Sequence, residues 1–108
     1  MDAPVIHACL MVKIGKIARR LRITGRVQGV GFRTALCAAA EAHGLSGWVR
    51  NRIDGCVEAE VYGAIEDVQA LVAWSHHGPP AARVADVLVE VADATPSPPA
   101  GFVQRPSA

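Results

Sequence analysis

The residues that could carry chemistry lie in two short segments. The first, GRVQGVGFR from Gly25 to Arg33, holds Gly29 and Gly31. These glycines allow backbone angles that other residues resist, so successive amides can turn inward as a nest. A helix starting directly afterwards would add its positive end. Such a loop binds an oxyanion. It is not a nucleotide phosphate loop, because no Lys-Ser/Thr follows a glycine at the required distance. It is not a dinucleotide fingerprint either, because Gly29-Val30-Gly31 runs on into Phe-Arg-Thr without a third glycine. No nucleotide cofactor is expected.

Arg33 falls in the first turn of the expected helix. A cation there opposes the helix dipole and costs about a few tenths of a kcal/mol unless an anion sits beside it. A guanidinium is also a planar, permanently charged fork of donors that fits phosphate oxygens. The second segment contains Asn51, at the end of LSGWVRN. Taken alone, an asparagine at a strand end is a turn former. Its amide can also orient a water molecule without titrating.

The elements that position these residues follow from periodicity. From Ile17 to Val27, Leu21, Ile23, Gly25 and Val27 alternate with Arg20, Arg22, Thr24 and Arg26, the pattern of a half-buried strand. The spacing of Phe32, Ala35 or Leu36, Ala39 and His43 predicts a helix that Gly44 ends in a left-handed cap. Leu45 to Asn51 reads as a second strand. Asp54-Gly55 is a hairpin signal into a third strand, where Val57, Ala59 and Val61 alternate with Glu58, Glu60 and Tyr62. Ile65, Val68, Leu71, Val72 and Ser75 form a helical stripe that Gly78-Pro79-Pro80 ends, and Arg83 to Val91 is a Val-rich strand. A Pro-rich turn, TPSPPA, precedes a short edge strand at Phe102-Val103-Gln104.

The order β-α-β-β-α-β is that of an α+β ferredoxin-like sandwich. Its four-stranded antiparallel sheet has order 4-1-3-2, both helices cover one face, and a short fifth strand is possible. In that topology strands 1 and 2 run parallel on either side of strand 3. The loop after strand 1 and the end of strand 2 therefore share one rim, about 10 Å apart, and a long side chain such as Arg33 can close much of that distance.

Composition sets the class. With 108 residues, 51% hydrophobic and 19% charged, the chain suits one small domain. No apolar run approaches the ~20 residues of a membrane span, and the start lacks the charged region of a secretory signal. No membrane association is expected, and the reading is a cytoplasmic protein. Residues 1–16, with an apolar stretch from Val5 to Val12 and Met11 as an alternative start, are read as an extension that can be disordered; residues 17–106 form the domain. Cys9, Cys37 and Cys56 have no metal-ligand spacing, so neither a disulfide framework nor a structural zinc is expected. Residues 1–40 carry seven basic side chains against Asp2 alone, whereas residues 41–108 carry four basic against nine acidic ones. The N-terminal part is thus electropositive, which suits a small anion or a nucleic-acid face.

GRVQGVGFR followed by GWVRNRIDGCVEAEVYG resembles the two signature segments of the acylphosphatase family, and GPPAARV and the terminal GFVQRP are similar to that family's endings. The resemblance covers about residues 17 to 106. It implies the same ferredoxin-like fold. It also implies hydrolysis of acyl phosphates, R-CO-O-PO₃²⁻, to carboxylate and inorganic phosphate without metal, cofactor or covalent intermediate. Carried over, Arg33 holds the phosphoryl group and Asn51 positions the attacking water. The backbone of Gln28, Gly29, Val30, Gly31, Phe32 and Arg33 forms the phosphate cradle, and a substrate phosphate oxygen accepts the proton. The expected partners are the acyl phosphate and inorganic phosphate, and the chain is expected to act as a monomer without nucleic acid.

The remaining candidates carry less. Adjacent His76 and His77 diverge by roughly 100° on a helix and do not chelate one metal. His43 suits a helix C-terminus, Glu58 and Glu60 are read as an exposed sheet face, and Cys37 and Cys56 as small packing residues. Two non-enzymatic alternatives use the same fold, an RNA-binding module and a carbamoyl-phosphate-handling relative. An RNA-binding sheet would place aromatic and basic residues on strand 3, where Glu58 and Glu60 stand instead.

Overall fold

A computed structural model describes residues 15–92 and 101–108. Residues 1–14, with the apolar stretch, Cys9 and Met11, lie outside the described residues, as does the whole of the Pro-rich turn. The elements run β1 (Lys16–Arg26), α1 (Phe32–Ala42), β2 (Ser46–Asn51), β3 (Val57–Ala64), α2 (Ile65–Ser75), β4 (Arg83–Ala92) and β5 (Phe102–Gln104).

The strand order is β4-β1-β3-β2-β5. β1 pairs antiparallel with β3 and β4, β2 pairs antiparallel with β3, and β5 pairs parallel with β2. The sheet is therefore mixed and five-stranded, with the four expected strands in the expected order. The chain continues past β5 along the same edge. Arg105 donates its amide to the Val49 carbonyl at 2.8 Å, and Ala108 donates to the Asn51 carbonyl at 3.0 Å.

The two periodicities meet in one core. Leu21, Ile23, Val49, Val57, Ala59 and Val61 of the sheet pack against Phe32, Leu36 and Ala40 of α1 and Val68 and Leu71 of α2, all buried. Val27 and Phe32 carry this core into the first signature segment. The Phe32 ring meets Trp74 edge-on, with centroids 5.5 Å apart, and Gly78 packs so closely on it that a Cβ would collide. Glu66 and Asp67 stand in the first turn of α2, where negative charge is favoured. Gly44 takes the expected left-handed conformation after α1.

The opposite face of the sheet corrects one expectation. Glu58 is not exposed but 4% accessible. Its Oε1 lies 2.8 Å from Arg50 Nη2 and 3.5 Å from Arg52 Nη1. Trp48 is buried on this face beneath the guanidinium groups of Arg50 and Arg105, at 4.9 and 4.8 Å from the ring centroid, with Arg20 at 5.8 Å. Alternation assigned Glu58 to its face correctly. Whether that face is covered depends on arginine side chains lying over it, which period-2 patterning does not report.

Candidate active site

The segment from Val27 to Gly31 leaves β1 as a series of bends and delivers the chain to α1. Gly29 and Gly31 have φ of 73° and 78°, left-handed values at which a side chain would be strained. Gly31 is also the N-cap of α1, and no side chain caps the helix. The first-turn amides therefore lack the usual serine or aspartate acceptor.

A cavity of about 90 Å³ opens at this end of the helix. It is lined by Val27, Gly29, Gly31, Phe32, Arg33, Thr34 and Asn51. Arg33 and Asn51, expected to share a rim on topology alone, thus face one cavity. Arg33 has no acidic residue in the first turn of its helix, and among the described residues it makes no salt bridge. Its charge is available to a ligand. Apart from Arg33, no residue lining the cavity carries a titratable side chain.

Of the other expected loop residues, Val30 packs against the hydrophobic core and does not line the cavity. Gln28 turns its side chain the other way, toward the β2–β3 connection. Its Nε2 donates to the carbonyls of Arg52 at 2.7 Å and Cys56 at 2.9 Å. Two residues not singled out in the sequence also belong here. Thr34 lines the cavity, and its Oγ1 accepts a 3.3 Å hydrogen bond from Gln104 Nε2 of β5. Their sequence separation left no local signal.

The connection after Asn51 is tightly bonded. Arg52 donates its amide to the Cys56 carbonyl at 2.8 Å, Gly55 to the Arg52 carbonyl at 3.1 Å, and the Cys56 amide to Asp54 Oδ1 at 3.0 Å. The Cys56 bonds hold the Asp54 carboxyl below its ordinary range. Burial, with the Asp54 hydrogen bond second, pushes the Cys56 thiol up to about 11. Burial likewise raises the Cys37 thiol. Both cysteines are packed inside, as their sequence settings suggested. His43 caps α1 and places Nδ1 3.1 Å from Asp67 Oδ1, away from the cavity.

Among the described residues, no three His, Cys, Asp or Glu side chains converge where they could hold a metal ion, and no helix is long and apolar enough to cross a membrane.

Comparison with known proteins points to one family. The acylphosphatase family model matches residues 19–103. The acylphosphatase of Azoarcus sp. (strain BH72) is 55% identical over 85 residues, which is 79% of this chain and 85% of that protein. That of Acidovorax sp. (strain JS42) is 55% identical over 89 residues, 82% and 90% of the two chains. The structure of an acylphosphatase from Coxiella burnetii superposes with a TM-score of 0.80 at 32% identity, covering 85% of this chain and 95% of the other.

Proposed function

The chain belongs to the acylphosphatase family and hydrolyses acyl phosphates, and from that premise we propose how its residues divide the work. Arg33 and the loop amides from Gln28 to Arg33 hold the phosphoryl group. Asn51 holds the water that attacks phosphorus. The new P–O bond forms as the bond from phosphorus to the acyl oxygen breaks. The carboxylate leaves with that bond's electrons, and the water's proton passes to a phosphate oxygen.

The observation that supports this reading is the make-up of the cavity, which combines one permanent cation and an uncapped helix start with an amide and no side chain that titrates near neutral pH. That set meets the needs of phosphoryl transfer through a loose transition state, which are placement and charge stabilisation. It also matches the leaving group. A carboxylate, whose conjugate acid has a pKa of about 4, departs without being protonated, whereas an alcohol needs a general acid. The reading therefore confines the enzyme to acyl phosphates and excludes ordinary monoesters.

Arg33 and the amides supply the charge that a metal would otherwise supply, so the mechanism is metal-independent. Both side chains come from one chain, which accords with a monomer. The RNA-binding alternative is disfavoured because Arg20 and Arg50 on the open face are already paired with Glu60 and Glu58 and so are not free for phosphates. The test is phosphate release from benzoyl phosphate and from p-nitrophenyl phosphate, each with EDTA and with magnesium. Rapid release from the acyl phosphate alone, unchanged by EDTA, is expected. Activity abolished by EDTA and restored by magnesium would contradict the mechanism.

A further inference from the structure

We propose that the side chain of Gln28 is a positioning residue for Asn51, fastening the phosphate loop to the strand end that presents the water-holding amide. The proposal rests on the role assigned to Asn51 above. Gln28 is part-buried, and its Nε2 spends both hydrogens on main-chain carbonyls of the β2–β3 connection, at 2.7 Å to Arg52 and 2.9 Å to Cys56. Two carbonyl acceptors require the NH₂ end of the amide there.

The Arg52 carbonyl belongs to the residue directly after Asn51, and Asn51 pairs with Val57 at the last position of the β2–β3 register. A strand end is where pairing frays. Here it is bonded from two sides, by Gln28 at Arg52 and by Ala108, which accepts from the Ile53 amide at 2.8 Å and donates to the Asn51 carbonyl at 3.0 Å. Among the described residues, the Gln28 bonds are the hydrogen bonds that tie this strand end to the phosphate loop. They set the separation between the bound phosphorus and the water, a distance that two separately packed segments would otherwise leave loose. A misplacement of about 1 Å can cost on the order of a hundredfold in rate.

The experiment compares Gln28→Leu, Asn51→Ala and the double variant in the full chain, with benzoyl phosphate as substrate and inorganic phosphate as inhibitor. Gln28→Leu keeps the loop backbone, so phosphate inhibition is expected to change less than about threefold while kcat falls about tenfold or more. In the Asn51→Ala background the same change is expected to lower kcat by less than about twofold, because the group it positions is gone. Gln28→Glu adds a readout that lost packing would not move. The carboxylate only accepts, so its activity relative to the parent should recover as falling pH returns a donor to the side chain.

Equal factors from Gln28→Leu in both backgrounds would overturn the proposal, and so would an undiminished kcat beside a strongly impaired Asn51→Ala. An unimpaired Asn51→Ala would overturn the Asn51 assignment and the clamp with it. Should Gln28→Leu fail to fold, Gln28→Glu carries the same comparison.

Discussion

Arg33 stands in a helical turn that disfavours a cation, with no acidic neighbour in that turn to offset the cost. That conflict is the physical reason to give it a ligand. A lysine would restore the charge as a single point but not the planar fork. Arg33→Lys is therefore expected to lose about a hundredfold or more in kcat/KM, close to Arg33→Ala, and to weaken phosphate inhibition. Retained turnover and inhibition in the lysine variant would contradict the bidentate role. Cys56 gives a prediction in pH. The unfolded thiol ionises near its ordinary pKa of about 8.5, whereas the folded one holds its proton up to about 11. Between those values the unfolded state binds fewer protons, so the contribution is complete below the lower value and is lost as pH rises. Melting temperature should fall between pH 9 and 11 more steeply in the parent than in Cys56→Ala. At pH 8 the native thiol should resist a thiol reagent until denaturant is added. Arg33 stood out in the sequence because its charge conflicts with a local expectation, and Asn51, by type a mere turn former, because the element order puts it on the same rim; both line one cavity. The Gln28 side chain did not stand out, since its partners are backbone carbonyls 24 and 28 residues away.

Among the elements, β2 carries the tightest geometric demand. Gly47 has φ of 139°, and a Cβ there would run into the Glu60 carbonyl of β3 while crowding the Phe102 ring of β5 at 3.1 Å. Gly47→Ala is expected to destabilise the fold by about 3 kcal/mol. In a domain of this size that lowers the melting temperature by roughly 12 °C or more, which calorimetry would read. A shift within a degree or two would show that the strands yield at little cost. The order of β1 to β4 and both helices followed from alternation, helical spacing and the turn residues between them. The parallel pairing of β5 did not. Three residues carry too little pattern to state a direction, and the contact that sets it, the Gly47 amide on the Gly101 carbonyl at 3.1 Å, joins positions far apart in the chain.

For the whole molecule, the topology brings the two roles together. β1 and β2 run parallel on either side of β3, so the loop leaving one and the last residue of the other open on the same rim. Phe32, buried against Trp74 and Gly78, anchors that rim to the core one residue before Arg33. The shared rim was readable from element order alone, whereas the Phe32 anchor, a packing of side chains far apart in the chain, was not. The covering of the open sheet face by arginines over Trp48 was not, because it depends on side-chain conformations that pattern leaves free. The division of labour across the rim, with Arg33 for the phosphoryl group and Asn51 for water, is the central claim. It is tested most directly by measuring kcat for benzoyl phosphate and the inhibition constant for inorganic phosphate in Asn51→Ala beside the parent. The expected result is a fall in kcat of about a hundredfold or more, a positioning loss, with phosphate inhibition nearly unchanged and the melting curve retained. Turnover equal to the parent's, or a loss of phosphate affinity matching the loss of turnover, would contradict it.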